Sequence, residues 1–327
     1  MIMWSICSNR EEWNWNLSKF HDDSIYQSAE WGQYKEDAGW SVIRFQCLKN
    51  NSISAMAQAT IKHYWFGLTV VWFNGAPIGS LIDFTDSFLS YLECIYKKRL
   101  IYVRFNSMKE HDNLSLEVLN NSRWSRPMTR ILSGETMIYN SSLPEQDRIK
   151  LLSGNWRHNL KRSGRYQYEI IRLGKDNINE IIEVYKAMEG YKGLKSQVIY
   201  NQIFSAINTF GDDLIIIGYR NEKKNILSIR GAIIRGKKAW DFYAATNFEG
   251  RKIYSSYILF WSLVNICHSK GIETYDMSGV DFLNNKGVFN FKKGTGSKHI
   301  LMLGEWDWAS NQFIRLIMNL VIKVKGV

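Results

Sequence analysis

The chain has 327 residues, 45% of them hydrophobic and 14% aromatic, with 13 Trp and only 3 Pro. That is enough apolar content for two cores, and it excludes a disordered or linker-rich chain. The formal net charge is +11 and lies entirely in the second half. Residues 1–140 hold 14 basic and 14 acidic side chains, and residues 141–327 hold 28 against 17. An anionic partner is therefore expected on the second half: RNA, a phosphorylated substrate or an acidic membrane.

No run of about 18 apolar residues is present, so no membrane-spanning helix is expected. The opening MIMWSICSNREEW lacks the basic start and apolar block of a secretory signal. Cys7, Cys47, Cys94 and Cys267 are scattered without metal-ligand spacing. They read as small buried hydrophobes of a reducing, cytoplasmic compartment, and no metal is expected.

In chain order, β-branched and aromatic residues predict strands over Val42–Leu48, Ile53–Ile61, Thr69–Asn74 and Leu100–Ser107. Phe88, Leu89, Leu92 and Ile95 predict a helix over Asp86–Lys97. Met128–Tyr139 reads as another strand. Pro144 suits a helix start and marks the expected boundary. A basic helical stretch follows over Glu145–Ser163, then helices over Asn177–Met188 and Gln197–Asn208. Strands are expected at Leu214–Tyr219, Ile226–Arg235 and Ala239–Ala245. Ser255–Ser269 reads as a long helix, with strands at Glu273–Met277 and His299–Glu305.

In Phe313–Val324 the polar residues fall on one narrow face, and the wide apolar remainder is expected to pack on a core. The alternative is a basic helix lying on a membrane surface. Each half thus shows paired strands, a helix and a short strand. That is the rhythm of a GNAT-like acyltransferase unit present twice.

No G-x-S-x-G elbow and no H-E-x-x-H occurs, so hydrolase and metalloenzyme readings lack support. Two other stretches hold the candidate chemistry, Tyr26–Lys35 and Tyr275–Trp308, both dense in aromatics, glycines and lysines. In the second, Lys292 could stabilise an oxyanion as a carbonyl is attacked. Gly294 and Gly296 beside it would let the backbone approach the reacting centre. In the first, Lys35 follows Tyr26, Trp31 and Tyr34 and suits a phosphate as a point charge. Between them, Leu152, Trp156 and Leu160 form one apolar stripe, and Arg157, Lys161 and Arg162 fall elsewhere, a basic surface suited to an RNA backbone.

Trp31-Gly32-x-x-Lys35, a Gly279-Val280-Asp281 turn and Asn285-Lys286-Gly287-Val288-Phe289-Asn290-Phe291-Lys292-Lys293-Gly294-Thr295-Gly296 together resemble the FemABX family. Its members are aminoacyl-tRNA-dependent transferases of bacterial cell-wall assembly. The resemblance implies a mixed α/β (α+β) fold of two tandem GNAT-like domains, about 1–143 and 144–308. The helix at 309–327 would complete the first. No coiled-coil arm is expected, because no heptad run appears.

The resemblance also implies roles. Phe291 and Lys292 would serve the reacting ester. Lys35, with Trp31, would hold the diphosphate of a UDP- or lipid-linked peptidoglycan precursor. Tyr243 and Lys192 would line the acceptor groove, Lys192 standing where many relatives have an arginine. Asn106 stands where relatives often have an aspartate, and an amide cannot act as general base. Lys293, Arg157, Lys161 and Arg162 would meet tRNA. The co-substrate would be aminoacyl-tRNA, with no bound cofactor.

A rival reading is an acyl-CoA-dependent N-acyltransferase acting on an amino sugar. Against it, Tyr254 replaces the first glycine of the pyrophosphate loop at Arg251–Ser256, where a helix N-terminus would meet the anion. A second rival is a non-enzymatic RNA- or membrane-binding module.

Overall fold

The computed structural model describes residues 2–97, 99–193, 200–283 and 285–325. It divides into two units, residues 1–135 with 300–327, and residues 136–299.

The first unit opens with β1 (Ile2–Ile6), α1 (Arg10–Leu17), α2 (Ala29–Asp37), β2 (Ser41–Lys49), β3 (Ser52–His63), β4 (Leu68–Asn74) and β5 (Ile78–Gly79). It continues with α3 (Leu81–Ile95), β6 (Leu100–Glu110) and α4 (Asn113–Asn120). The second unit holds β7 (Glu135–Asn140), α5 (Glu145–Leu151), α6 (Gly154–Ser163), β8 (Tyr168–Arg172), α7 (Ile178–Lys192) and α8 (Tyr200–Phe210). Then come β9 (Leu214–Asn221), β10 (Ile226–Arg235), β11 (Lys238–Thr246), α9 (Phe248–Lys252), α10 (Ser255–Ser269), β12 (Thr274–Gly279) and α11 (Lys286–Lys293). Finally β13 (Lys298–Ala309) and α12 (Gln312–Lys325) return to the first unit.

The two sheets share one plan. In the first unit the order is β1-β2-β3-β4-β6-β13, with β5 beside β3. In the second it is β8-β9-β10-β11-β12-β7. Each has a run of antiparallel neighbours, one parallel pair, and a closing antiparallel strand. The closing strands are exchanged along the chain. β7 follows the first unit's strands but pairs with β12, and β13 follows β12 but pairs with β6.

Both cores are heavily aromatic. α3 buries Leu81, Phe84, Phe88, Leu89 and Leu92 against Phe45, Phe73 and Phe105. α10 buries Leu259, Phe260, Leu263, Val264 and Cys267 beside Trp156 and Tyr275. Among the described residues no helix exceeds 15 residues, consistent with the expected lack of an arm.

Several sequence expectations need correction. Only Glu135–Asn140 of Met128–Tyr139 is strand. The preceding residues wrap the Arg104–Glu305 pair instead: the Arg104 guanidinium bonds the carbonyl of Thr129, and the Glu305 carboxylate accepts from the amides of Ile131 and Leu132. Glu145–Ser163 is two helices, because Leu152 is extended and Ser153 caps a new start. The helix predicted at Asp86 begins at Leu81, where the Ser80 hydroxyl accepts from the Asp83 amide. β1 and α1 were not predicted. Residues 197–199 of the helix expected at Gln197–Asn208 lie outside the described residues.

α12 is turned over relative to expectation. Two of its polar residues face inward: Arg315 Nε donates to Asp307 Oδ1 at 2.8 Å, and Asn319 Nδ2 donates to Asp307 Oδ2 at 2.7 Å. Asn319 Oδ1 also accepts from the Met128 amide. Asp307 is fully buried, and a buried carboxylate must find donors. That demand sets which way the helix faces.

Arg104 and Glu305 are each 1% exposed. Removing one partner leaves an uncompensated buried charge. Glu305→Ala is expected to lower the unfolding free energy by about 3–5 kcal/mol, read from urea denaturation midpoints of the two proteins.

Candidate functional site

The second unit's parallel pair opens. β11 and β12 are in register only from Lys238–Thr274 to Trp240–Asp276. Beyond Trp240 and Asp276 the two strands part. The corresponding pair in the first unit, β4 and β6, stays paired from Leu68–Leu100 through Asn74–Asn106.

Where β11 and β12 diverge, a buried charge network holds them. Arg230 on β10 donates from Nε and Nη2 to the two carboxylate oxygens of Asp241 on β11, at 3.0 and 2.9 Å. Tyr275 on β12 donates its hydroxyl to Asp241 Oδ1 at 2.7 Å, and Ser278 donates to the Asp241 carbonyl at 2.8 Å. Burial together with the Asp241 charge pushes the Tyr275 hydroxyl well above its ordinary range. Ser278 sits at φ 64°, a left-handed conformation that few non-glycine residues adopt. Its amide donates to Asp276 Oδ1 at 2.8 Å, which holds this turn.

α11 delivers the two residues singled out in the sequence. Asn285 caps its start, its side chain accepting from the Val288 amide. Phe291 and Lys292 fall in its last turn. Lys292 is 6% exposed, and its Nζ donates to the carbonyls of Ser278 at 3.1 Å and Gly279 at 2.8 Å. Burial lowers its pKa to about 8; Asp241 and Asp276 oppose that shift, and Arg230 adds to it. Phe291 stands in an aromatic wall, its ring 5.1 Å from Tyr257 and 5.7 Å from Trp156. The Arg230 guanidinium lies 5.5 Å from the same ring.

Gly294 and Gly296 have a role different from the one expected. A Cβ on Gly294 would stand 2.9 Å from the Trp156 ring, and one on Gly296, at φ 82°, would stand 2.7 Å from the Leu151 carbonyl oxygen. These glycines let the segment after α11 pack on α5 and α6. At its centre this glycine-rich segment is the helix α11.

Tyr243, on β11, is buried, with its ring 4.6 Å from Phe242 and 6.3 Å from Tyr185. Lys192 is exposed in the last turn of α7, its pKa lowered by partial burial and by the Arg251 charge. Arg157, Lys161 and Lys293 are exposed. Arg162 is already engaged: it donates to the Tyr254 hydroxyl at 2.9 Å and covers that ring at 4.3 Å. Tyr254 itself stands at the N-cap of α10 with φ 60°. The start of α10 is thus covered by a tyrosine and an arginine where a glycine loop would leave bare backbone.

In the first unit, Trp31 and Lys35 line one cleft of about 160 Å³ with Tyr26, Trp40, Trp72 and Asn74. The Trp-Gly-x-x-Lys run has a physical reading there. Trp31 is buried, and a Cβ on Gly32 would stand 2.6 Å from both Arg44 and Gln58. Gly32 therefore lets α2 lie close on β2 and β3. Lys35, one turn on, places its amino group 4.9 Å from the Trp31 ring centre, and burial lowers its pKa. Asn106 is buried at the end of the β4–β6 pair and donates to Asn74 at 3.4 Å.

Lys35 and Trp31 thus share one cleft, with Asn106 beside its wall. Lys292 and Phe291 are adjacent at the open end of β11 and β12. Sequence reasoning missed Arg230, Asp241, Tyr275 and Ser278. The available signal was a charge inside each of two buried apolar runs, Ile226–Arg235 and Ala239–Ala245. Among the described residues no three His, Cys, Asp or Glu side chains are grouped to hold a metal ion.

The FemAB family model matches residues 218–323, which span Arg230, Asp241, Tyr275, Ser278 and Lys292. No curated protein matches the chain. Among solved structures, FemX superimposes with a TM-score of 0.84 at 14% identity, covering 98% of this chain and 100% of that one. A tandem GNAT protein from the clavulanic acid biosynthesis pathway gives a TM-score of 0.59 at 7% identity, over 95% and 99% of the two chains. L-PGS from Bacillus licheniformis gives 0.57 at 14% identity, over 96% and 97%. The chain is thus similar to the FemAB family over residues 218–323, and along its whole length it has the fold of FemX and of a tandem GNAT protein.

Proposed function

We propose that this protein transfers an aminoacyl group from an aminoacyl-tRNA to an amine of a UDP- or lipid-linked peptidoglycan precursor, forming an amide. The observation that carries the reading is the Lys292 ammonium, buried at the point where β11 and β12 part and held by two carbonyls. Those carbonyls take two of its three N–H bonds, and the third would meet the oxygen of the reacting ester.

The acceptor amine attacks the ester carbonyl carbon and forms the C–N bond. The carbonyl oxygen becomes an oxyanion, stabilised by Lys292 in a site shielded from water. The C–O bond to the ribose then breaks, and the ribose oxygen takes the proton that the amine loses. The Arg230–Asp241 pair fixes the backbone that aims Lys292. Phe291 closes one side of the reacting centre.

Lys35 over Trp31 would bind the acceptor's diphosphate, and Tyr243 and Lys192 would line the path of the acceptor. Arg157, Lys161 and Lys293 are exposed cations suited to an RNA backbone, so transfer is expected to weaken steeply with salt. The covered start of α10, with Tyr254 under Arg162, speaks for an aminoacyl-tRNA donor over acyl-CoA, and no bound cofactor is required.

Purified protein given amino acids charged on bacterial tRNA and a UDP-muropeptide is expected to move label to the muropeptide. Parallel reactions holding acetyl-CoA are expected to move none, and transfer from acetyl-CoA alone would reverse the donor assignment. Lys292→Met is expected to cut turnover about 10²-fold or more with an unchanged thermal melt. Near-normal turnover would remove Lys292 from the mechanism. Because the donor must carry its proton, the rate is expected to fall as pH rises through about 8, the pKa of Lys292. Lys35→Ala should raise KM for the diphosphate-bearing acceptor about tenfold or more and change kcat little.

A further inference from the structure

The inverted packing of α12 leaves a large apolar face uncovered. Phe313, Leu316, Ile317, Leu320, Val321 and Val324 are all exposed, Phe313 at 68% and Val324 at 84%. At about 100° per residue they fall in one sector roughly 140° wide. The opposite side is pinned by Arg315 and Asn319 on the buried Asp307, so the helix is a fixed element and not a fraying tail. A patch of this kind on a folded protein marks an interaction surface.

The charges around it identify the occupant. Residues 310–325 contain Arg315, Lys323 and Lys325 and no acidic residue. The neighbouring segment 121–134 contains Arg123, Arg126 and Arg130, also with no acidic residue. It adjoins α12 directly, because Arg315 Nη2 donates to the Arg126 carbonyl at 2.7 Å and the Met128 amide donates to Asn319. Arg126, Arg130 and Lys323 are exposed, and Met128 adds a further exposed apolar side chain at 67%. Arg123 is paired with Glu93 and Arg315 with Asp307, which leaves Arg126, Arg130 and Lys323 as the exposed cations beside the apolar face. That combination matches an interface with acyl chains below and anionic headgroups at the level of the cations. Among the described residues no helix is long and apolar enough to cross a membrane, so the helix would lie in the surface plane.

We infer that α12 is a membrane-docking helix that seats the first unit on an anionic lipid bilayer. This goes beyond the transferase reading and does not rest on it, since vesicle binding is measured without turnover.

The test is sedimentation of the full chain with vesicles of phosphatidylcholine alone and of phosphatidylcholine mixed with phosphatidylglycerol. Binding is expected on the mixed vesicles at low salt, much less on the neutral ones, and less again at about 0.5 M salt. Phe313→Asp with Leu320→Asp, both on the exposed face, is expected to reduce binding at least about tenfold while the thermal melt is kept. Should that pair fail to fold, Lys323→Glu with Arg130→Glu is expected to weaken binding to the anionic vesicles selectively. The inference is overturned by no binding to anionic vesicles, or by binding indifferent to both variant pairs. It is also overturned if the wild-type chain is a dimer in sedimentation velocity that the Phe313/Leu320 variant dissociates, which would assign the face to a second copy.

Discussion

The Arg230–Asp241 pair is the interaction on which the second unit's site depends. Both residues are about nine-tenths buried, and each supplies the hydrogen bonds and opposite charge that the other has lost from water. Asp241 also accepts the Tyr275 hydroxyl, so β10, β11 and β12 are tied at one carboxylate. The strands can part immediately beyond that point without losing their alignment. Ser278, bonded to the same residue's carbonyl, turns the backbone so that two carbonyls face Lys292. Removing Asp241 would leave Arg230 unpaired and Lys292 without its strongest anionic neighbour. The proposed chemistry and the local fold therefore share one residue.

The two units show how one plan yields two kinds of surface. In the first, β4 and β6 stay hydrogen-bonded over seven residue pairs, and the backbone between them offers no opening. Its cleft is made by side chains instead, on the face where α2 crosses β2 and β3. In the second, pairing stops after three residues and exposes backbone at the strand ends. Exposed carbonyls and amides make a site that can orient a polar centre. An aromatic cleft with one lysine makes a site that can hold a flat or phosphorylated one.

Much of this was legible in the sequence. The strands Ile226–Arg235 and Leu214–Tyr219 and the helix Ser255–Ser269 follow from apolar runs and periodicity, and the structure places them as read. Lys292 and Lys35 stood out because a lysine amid glycines and aromatics needs a reason. The partners of Lys292 were not legible, because residues 230, 241 and 275 converge only through sheet register. The glycines misled for a related reason. Gly294 and Gly296 make room for Trp156 and Leu151, and a sequence does not reveal which neighbour a missing Cβ admits. For α12, periodicity defines an apolar face but not the direction it points. One buried carboxylate, Asp307, reversed the usual orientation.

The exchanged closing strands have a consequence for how the chain comes to be folded. Phe105 on β6 lies opposite Trp306 on β13, roughly two hundred positions later. As the chain leaves the ribosome, the first unit stays one strand short through the synthesis of all of the second. In that interval the long inner strand β6 shows an unsatisfied edge, the kind of edge that recruits foreign strands. Only the arrival of β13 seals it. A strand made late thus protects a sheet begun early, and a ribosome that stalls in between leaves a sticky half-sheet and not a smaller working domain.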